Sequence, residues 1–325
     1  MTPSRQRPLP LVAALAGVLL LAVPIVAALL LRPGAGAGAT AAAAPASAAA
    51  AGSSSNAGQA FPAPPPGAVV FSRQLGGNDL ALGIVPRHGS ALLQASVVNG
   101  NGAGVSGLGV SFRLQGARAR ATACGRGCYR ATLPVRGRPE AVEVSVRGPS
   151  SADWRVALPS AWPPPDGTAL VRRAERVWRA LDSLSFSETL GSGTGTVVSS
   201  AWQINAPDRL AYQVKSGWAA VVVGARRWDR APGRVRWVES PQSPLTQPVP
   251  TWVSARDAHV LGTVTVRGRP AWLVSFYDPV TPAWFTVAID RRTLRTLDAR
   301  MVATAHFMHD VYGAFDATAP VTPPR

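Results

Sequence analysis

The sequence predicts a mainly β protein that begins with a membrane segment and contains one amphipathic helix, and three observations lead to that class. Short apolar runs separated by Gly, Pro or Asn recur at intervals of about ten residues from Val69 to Leu158, as in β-sandwiches. After Pro165, one apolar stripe has the spacing of a helix. Apolar and polar residues then alternate along most of the remaining chain, as they do in half-buried strands.

The N-terminal segment is apolar enough to enter a membrane. Residues 8–31 carry no charge, and as a helix they are long enough to cross a hydrocarbon layer of about 30 Å. The run exceeds the usual apolar core of a signal peptide, although the small residues after Arg32 also offer cleavage sites. Arg5 and Arg7 precede it, which predicts a cytoplasmic N-terminus. We therefore expect residues 1–32 to be a signal peptide or a membrane anchor, and the remainder to be exported.

The charge balance restricts the partners. The chain has 33 basic and 17 acidic residues and a net charge of +16. Nearly all basic side chains are Arg, as expected of drift in a GC-rich genome. No basic cluster is interleaved with aromatic residues on a helix, which argues against a nucleic-acid partner. A membrane surface suits the charge better, since each Arg gains about 1 kcal/mol near anionic lipid. A merely solvated basic surface is the alternative.

Composition divides the rest of the chain into three parts. Residues 33–67 are rich in Ala, Gly, Pro and Ser, which predicts a disordered linker. Residues 68–158 read as an immunoglobulin-like β-sandwich. In residues 159–325, a short proline-rich joint precedes a helix that Asp166 or Thr168 can cap. The long antiparallel meander that follows predicts a curved, unclosed sheet wrapped around that helix. The apolar stripe of the helix consists of Leu170, Ala174, Val177, Trp178 and Leu181.

One stretch interrupts the meander. Residues 239–257 contain four prolines and end shortly after Trp252. Because each proline removes a ladder donor, the stretch cannot be a central strand. It is either a functional loop such as a lid or an ordered surface connection.

The C-terminal half resembles a known superfamily. The strand phrases are AWQINAPDRLAYQV (201–214), RRWDR (226–230) and PAWLVSFYDPVTPAWFTVAIDRRTLRTL (270–297). With the preceding helix and the proline-rich interruption, they resemble the LolA-like superfamily of periplasmic lipoprotein and lipid carriers. The resemblance implies an unclosed β-barrel around a helix and an apolar ligand. It carries no catalytic signature and no motif that transfers residue by residue.

The first domain resembles another exported module. GNDLALGIVP (77–86), GLGVSFRL (107–114) and CGRGCYRATLP (124–134) are similar to small β-sandwich domains of the YtkA/FixH type. Domains of this kind accompany copper-resistance membrane proteins of the CopD type. This resemblance implies exported copper handling as an alternative function.

Two groups of residues are candidates for that alternative. Cys124 and Cys128 lie between two strand-like runs, and in an oxidising compartment they should form a structural disulfide. As thiolates they would instead bind copper, although no His or Met is near them in the sequence. His306, Met308 and His309 form the densest cluster of soft ligands. On a strand, however, His306 and Met308 share one face and His309 points to the other.

No motif supports an enzyme. Residues 102–107 match G-x-G-x-x-G, but a strand follows them where a phosphate site needs a helix. Residues 191–195 place glycine where a nucleophile elbow needs serine. We therefore predict no catalytic residue, no covalent chemistry and no cofactor.

The aromatic content of the C-terminal half predicts an apolar binding face. Eight of the ten tryptophans lie from Trp178 onward, more than a sheet covered by one helix needs. An unclosed sheet leaves a concave face for acyl chains, which gain about 0.8 kcal/mol per buried CH₂. The alternation of the strands predicts as lining residues Trp202, Tyr212, Val221, Val223, Trp237, Trp252, Val274, Phe276, Phe285 and Val287.

The sequence thus predicts an exported, membrane-tethered protein that holds a lipid or lipidated ligand in its C-terminal domain. The proline-rich stretch would be a lid, and the sandwich a spacer or a docking module for an envelope protein. Exported copper binding and a purely structural envelope module without a ligand are the alternatives.

Overall fold

The computed structural model of the chain describes residues 62–75, 78–99, 103–149, 151–192, 197–303 and 306–325. The predicted membrane segment 1–32 and most of the predicted linker 33–67 lie outside the described residues. Within these ranges, no helix has both the length and the apolar character that a membrane span requires.

The described residues up to 157 form nine strands in two antiparallel sheets. One sheet has the order β1-β2-β3-β7-β6 and the other has the order β5-β4-β8-β9. The strands are β1 (Val69–Leu75), β2 (Asn78–Arg87), β3 (Ser90–Asn99), β4 (Gly109–Leu114), β5 (Ala117–Arg120), β6 (Thr122–Gly125), β7 (Cys128–Pro134), β8 (Ala141–Arg147) and β9 (Ala152–Ala157).

The two sheets pack face to face around one apolar core. In β4 and β8 every second residue is buried, because one face of the sheet meets the core and the other meets solvent. Leu82 and Leu93 of the first sheet join Phe112, Val144 and Trp154 of the second in a single cluster. The sandwich that the strand spacing predicts is thus present.

Strands β2 and β3 differ from this alternation because each contains a run of at least six consecutive buried residues. One face of each strand contributes to the sandwich core. On the other face, Ala81 and Val98 belong to a second cluster with Tyr277, Trp284 and Val302 of the C-terminal region. The near-continuous apolar runs in β2 and β3 therefore reflect packing on both faces.

The last residues of the predicted linker are packed against this sheet. Gln94 donates its side-chain N–H to the backbone carbonyl of Ala63 at 2.7 Å, and the hydroxyl of Ser96 donates to the backbone carbonyl of Pro62 at 3.3 Å. Pro64 is buried. Because proline has no N–H to satisfy, this short run can lie on the strands through carbonyl contacts alone.

The predicted disulfide is confirmed. Cys124 and Cys128 are bonded across the β6–β7 turn, with Cα atoms 5.0 Å apart.

The disulfide closes a loop of only a few residues, so it restricts the unfolded chain little. We expect replacing both cysteines with alanine to lower the free energy of unfolding by about 2 kcal/mol. Urea unfolding of the two proteins measures this, and an unchanged midpoint would show that the bond adds nothing.

The region after Pro165 is one helix followed by an 11-stranded antiparallel sheet, which we call the half-barrel. Its elements are α1 (Thr168–Arg179), β10 (Ser183–Ser192), β11 (Val197–Asn205), β12 (Arg209–Val214), β13 (Ala219–Val223), β14 (Arg226–Arg230), β15 (Val238–Pro241), β16 (Arg256–Val266), β17 (Arg269–Asp278), β18 (Ala283–Asp290), β19 (Thr296–Ala303) and β20 (His306–Gly313).

The sheet of the half-barrel is open. Its order is β15-β14-β13-β12-β11-β10-β20-β19-β18-β17-β16, so β15 and β16 are unpaired edges. The pairing of β10 with β20 joins two meanders into one sheet. The stretch 242–255, which we call the strap, runs from one edge to the other and contains no strand. An unclosed sheet with a helix is the architecture that the LolA-like resemblance implies, and this prediction is confirmed.

The hairpin connections fall at two opposite ends of this sheet. The register places the β10–β11, β12–β13, β14–β15, β17–β18 and β19–β20 connections at one end, which we call the rim. The described rim residues are 215–218, 231–237 and 279–282. The remaining hairpins turn at the opposite end, which we call the base. The strap leaves β15 at the base and enters β16 at the rim.

Candidate functional site

Helix α1 identifies the inner face of the sheet. Its buried residues are Leu170, Val171, Ala174 and Trp178, close to the stripe that the sequence predicts. The ring of Trp178 lies edge-on to that of Tyr312 of β20, with centroids 4.7 Å apart. The face of the sheet that carries Tyr312 is therefore the inner face.

A row of aromatic rings crosses the inner face of β10, β11 and β12. Phe186 contacts Tyr312 at 5.2 Å and stacks on Trp202 at 5.5 Å with an interplanar angle of 3°. Trp202 in turn lies 4.6 Å from Tyr212. Direct cross-strand pairing explains the row, because Phe186 pairs with both Tyr312 and Trp202 and Trp202 pairs with Tyr212. Such pairs stabilise a sheet through side-chain contact.

The row continues across the other half of the sheet through the strap. The ring of Trp252 lies 6.5 Å from Trp178, 5.2 Å from Phe276 and 6.0 Å from Phe285. Phe276 and Phe285 are stacked at 5.2 Å. Trp252, Phe276 and Phe285 are almost completely buried. This half of the inner face is therefore filled by the protein's own side chains.

The strap is held by a few separated hydrogen bonds rather than by a strand ladder. At the base, the N–H groups of Gln242 and Gln247 donate to the carbonyls of Ala225 and Pro207. Over the sheet, the hydroxyls of Thr251 and Tyr312 are 2.7 Å apart, and the indole N–H of Trp252 donates to Glu175 of α1 at 2.7 Å. The strap thus lies across the inner face and its apolar anchor is Trp252.

Two carboxyl groups are buried beside the aromatic row. Glu188 and Asp310 are directly paired residues of β10 and β20. Burial raises the pKa of Glu188, although hydrogen bonds from Ser200 and Trp202 oppose the shift. Burial, together with the charge of Glu188, holds the pKa of Asp310 well above its usual range. The interior is therefore a poor place for another negative charge.

A basic side chain lies at the other end of the row. Arg227 of β14 is buried and forms two hydrogen bonds of 2.6 Å with the carboxylate of Asp229. Its guanidinium also donates to the hydroxyl of Tyr212 at 3.4 Å. Because Asp229 neutralises Arg227, this end of the row is polar without carrying a large net charge.

Seven of the ten predicted lining residues lie together on the inner face or in the strap over it: Trp202, Tyr212, Trp252, Val274, Phe276, Phe285 and Val287. The structure places the other three elsewhere. Ala220 pairs with Tyr212 of the row, so Ala220 and Val222 lie on the inner face and Val221 and Val223 lie on the outer face. Trp237 precedes β15 and packs under the guanidinium of Arg230 at 4.7 Å.

Sequence reasoning missed three aromatic members of the row. Phe186 and Tyr312 were not singled out, and Trp178 was assigned only to the helix stripe. Met308, Asp310 and Tyr312 are alternate residues of β20, and all three are buried. That alternation was the available signal.

The residues of the copper alternative are not brought together. In the disulfide, the sulfurs of Cys124 and Cys128 are not thiolates. Met308 is buried opposite Met301 on the inner face, whereas His309 lies on the outer face with its Nε2 2.6 Å from Asp298. The side chain of His306 lies outside the described residues. No group of three or more metal-binding side chains occurs in the described part of the chain.

Two surface depressions lie away from the half-barrel, on the four-stranded sheet of the sandwich. Their volumes are about 340 and 430 Å³, and both are lined by Arg113, Glu143 and Arg155. The ion pairs of Glu143 with the two arginines are solvent-exposed. The depressions are therefore open and charged, unlike the inner face of the half-barrel.

Three solved structures are similar to about half of this chain. Lipoprotein LppX from Mycobacterium tuberculosis is 15% identical over 48% of this chain and 97% of its own, with a TM-score of 0.38. LprF from Mycobacterium bovis is 10% identical over 49% and 96%, with a TM-score of 0.38. A LolA superfamily protein from Nitrosomonas europaea is 6% identical over 48% and 95%, with a TM-score of 0.23.

No protein-family model matches the chain, and no curated protein matches it at a significant level.

Proposed function

We propose that this chain is an exported, membrane-tethered protein whose half-barrel holds the acyl chain of a lipid or lipidated ligand on its inner face. The row of rings from Tyr212 to Phe285 is the observation that carries the proposal. One helix and one strap without strand pairing cover this row. The proposal involves no covalent chemistry.

The strap determines how a ligand enters. Trp252 fills the space above Phe276 and Phe285, so an acyl chain takes that space only when Trp252 leaves it. The separated hydrogen bonds of the strap permit this movement without breaking a strand ladder. Trp202 and Tyr212 are only half-buried, so a ligand first meets the row there. The strap is thus a lid in this proposal.

The buried carboxyl groups select the part of the ligand that enters. An anionic head group next to Glu188 and Asp310 would lose its hydration in an interior that already disfavours the charged form of both carboxyl groups. A hydrocarbon chain has no such cost and gains about 0.8 kcal/mol for each CH₂ that leaves water. The proposal therefore places the chain inside and the head group outside.

Native mass spectrometry of the chain purified from bacterial membranes under mild conditions tests the proposal. We expect a bound mass that organic extraction removes and that the extract identifies as a lipid or acylated molecule. A bare protein mass, together with failure of the extracted protein to bind any acyl probe, would contradict lipid binding. That result would leave the structural envelope module.

A substitution in the half-exposed part of the row provides a second measurement. Changing Trp202 to alanine removes a ring that stacks on Phe186 and contacts Tyr212. We expect Trp202→Ala to weaken binding of a fluorescent fatty acyl probe about tenfold, because the probe loses the apolar contact of one side chain. Trp162→Ala is the matched control, because Trp162 packs against the core of the sandwich and not on the inner face of the half-barrel, and the affinity of this variant should stay unchanged. Equal losses in both variants would argue against the inner face as the site.

A further inference from the structure

The exposed apolar side chains of the described residues are not scattered. Six large apolar side chains are exposed, and the most exposed is Val235, at 92%. Three of them, Trp218, Val235 and Val280, lie in the rim connections. The other three, Val197, Val238 and Val253, lie beside these connections, at the rim ends of β11, β15 and the strap. Single exposed apolar residues need no explanation, but their collection at one end of a sheet does.

The rim is also basic. Lys215, Arg234 and Arg236 are exposed and form no ion pair within the described part of the chain. The described rim connections 215–218, 231–237 and 279–282 contain no Asp or Glu. Exposed cations thus alternate with exposed apolar side chains, most densely in the run Arg234-Val235-Arg236.

The rim connections are held in place by contacts with their neighbours. A Cβ on Gly217 would lie 3.3 Å from the Cβ of Pro232, so the β12–β13 turn touches the β14–β15 connection. The buried carboxylate of Asp278 accepts hydrogen bonds from the N–H groups of Val253 and Val280 at 2.7 and 2.9 Å. The apolar side chains are therefore displayed by positioned backbone.

The opposite end of the sheet provides an internal comparison. The base connections also carry arginines, including Arg267 and Arg292. None of the exposed large apolar side chains of the described residues lies there. Charge alone therefore does not distinguish the two ends, whereas the combination of charge and apolar surface does.

We propose that the rim docks on an anionic lipid bilayer. Lys215, Arg234 and Arg236 would contact lipid head groups, and the valines with Trp218 would enter the interfacial layer. Indole rings favour that layer, and basic side chains beside an apolar surface favour anionic membranes. Docking would bring the half-barrel to a bilayer surface. The inference adds to the proposed function, and neither depends on the other.

The test uses the full chain reconstituted in vesicles, with an environment-sensitive nitrobenzoxadiazole label on Val235→Cys. The two native cysteines form a disulfide, so the new thiol is the labelling site. We expect a blue shift of the emission in phosphatidylcholine vesicles that contain phosphatidylglycerol, and no shift in pure phosphatidylcholine. The same label on Arg292→Cys at the base should not respond. Because the predicted tether is present in every sample, it cannot produce this difference.

Charge substitutions show which cations are responsible. The double variant Arg234→Gln, Arg236→Gln removes two positive charges, each of which contributes about 1 kcal/mol to binding an anionic membrane. The docking equilibrium constant should therefore fall about 30-fold. Arg267→Gln with Arg292→Gln removes the same charge from the base and should leave docking unchanged.

Three results would overturn the inference. The first is that the emission of the label at position 235 does not shift with any lipid. The second is that the label at position 292 shifts equally, and the third is that the emission at position 235 shifts without lipid and more so at higher protein concentration. The last would assign the rim to contact with another copy. Co-purified lipid without a shift would leave the proposed function standing and remove only the docking surface.

Discussion

Replacing Trp252 with alanine is expected to lower the free energy of unfolding by about 3–5 kcal/mol. The side chain is 1% exposed and contacts Trp178, Phe276 and Phe285. Alanine leaves a large space between the strap and the sheet, and that space lacks the ring contacts of the native protein. The hydrogen bond to Glu175 is lost as well. Urea unfolding followed by tryptophan fluorescence measures the change.

Two further variants separate the causes. Trp252→Phe keeps a ring in the space but removes the indole N–H, so it should cost much less than Trp252→Ala. Trp218→Ala removes the same side chain from an exposed rim turn and should cost at most about 1 kcal/mol. If Trp252→Ala cost no more than Trp218→Ala, the strap would not be packed into the half-barrel in solution.

The same variant connects stability to the proposed function. An apolar space of this kind stays dry and accepts apolar guests. Once Trp252 no longer competes for the space, an acyl probe should bind Trp252→Ala more tightly than it binds the native chain. A destabilised variant that does not bind the probe better would mean that the strap does not act as a lid.

The strand content of the half-barrel could be predicted because alternation is a local signal. Trp272, Val274 and Phe276 alternate with residues of the other face, and so do Phe285 and Val287. The phase of a strand is less certain when both faces are apolar. The run Ala219–Val223 consists entirely of Ala and Val, so alternation gave no reason to choose Ala220 and Val222 over Val221 and Val223.

The path of the strap and the composition of the rim could not be predicted. The prolines of residues 239–257 exclude a central strand, but they do not show that Trp252 inserts between α1 and Phe276. The rim depends on which hairpins turn at the same end of the sheet, and that follows from the pairing of β10 with β20. Those two strands are separated by more than a hundred residues, and no local pattern encodes such a contact.

One buried carboxyl group is expected to make the stability of this protein depend on pH. Asp79 of β2 is fully buried, and neither of its carboxylate oxygens has a hydrogen-bond partner. It lies on the same face of β2 as Ala81, which packs against Tyr277 and Trp284 of the half-barrel. No sequence pattern predicts this buried group, because Asn78-Asp79 after two glycines resembles a turn.

Burial raises the pKa of Asp79 to about 7, whereas the unfolded chain has a value near 3.9. Between these values, the folded protein keeps a proton that the unfolded chain has lost. The contribution of Asp79 to stability is therefore complete below about pH 4 and is lost as the pH rises to about 7. The loss amounts to roughly 3–4 kcal/mol, since each pKa unit corresponds to about 1.4 kcal/mol.

Urea midpoints of the native chain and of Asp79→Asn, measured from about pH 5 to about pH 8, test this expectation. The native midpoint should fall from about pH 5 to about pH 7, where the folded protein keeps a proton that the unfolded chain has lost, and should level off once the buried carboxyl group ionises as well. The amide of Asp79→Asn does not titrate, so its curve should keep only the fall due to Glu188 and Asp310, be less steep than the native curve and lie above it at the alkaline end. Asp153→Asn is the control, because hydrogen bonds from Ser145 and Arg147 lower the pKa of that exposed carboxyl, which stays ionised throughout. Parallel curves for all three proteins would contradict this expectation. They would show that the Asp79 carboxylate finds a partner or reaches water in the folded protein, so that β2 packs against the half-barrel without a proton on Asp79.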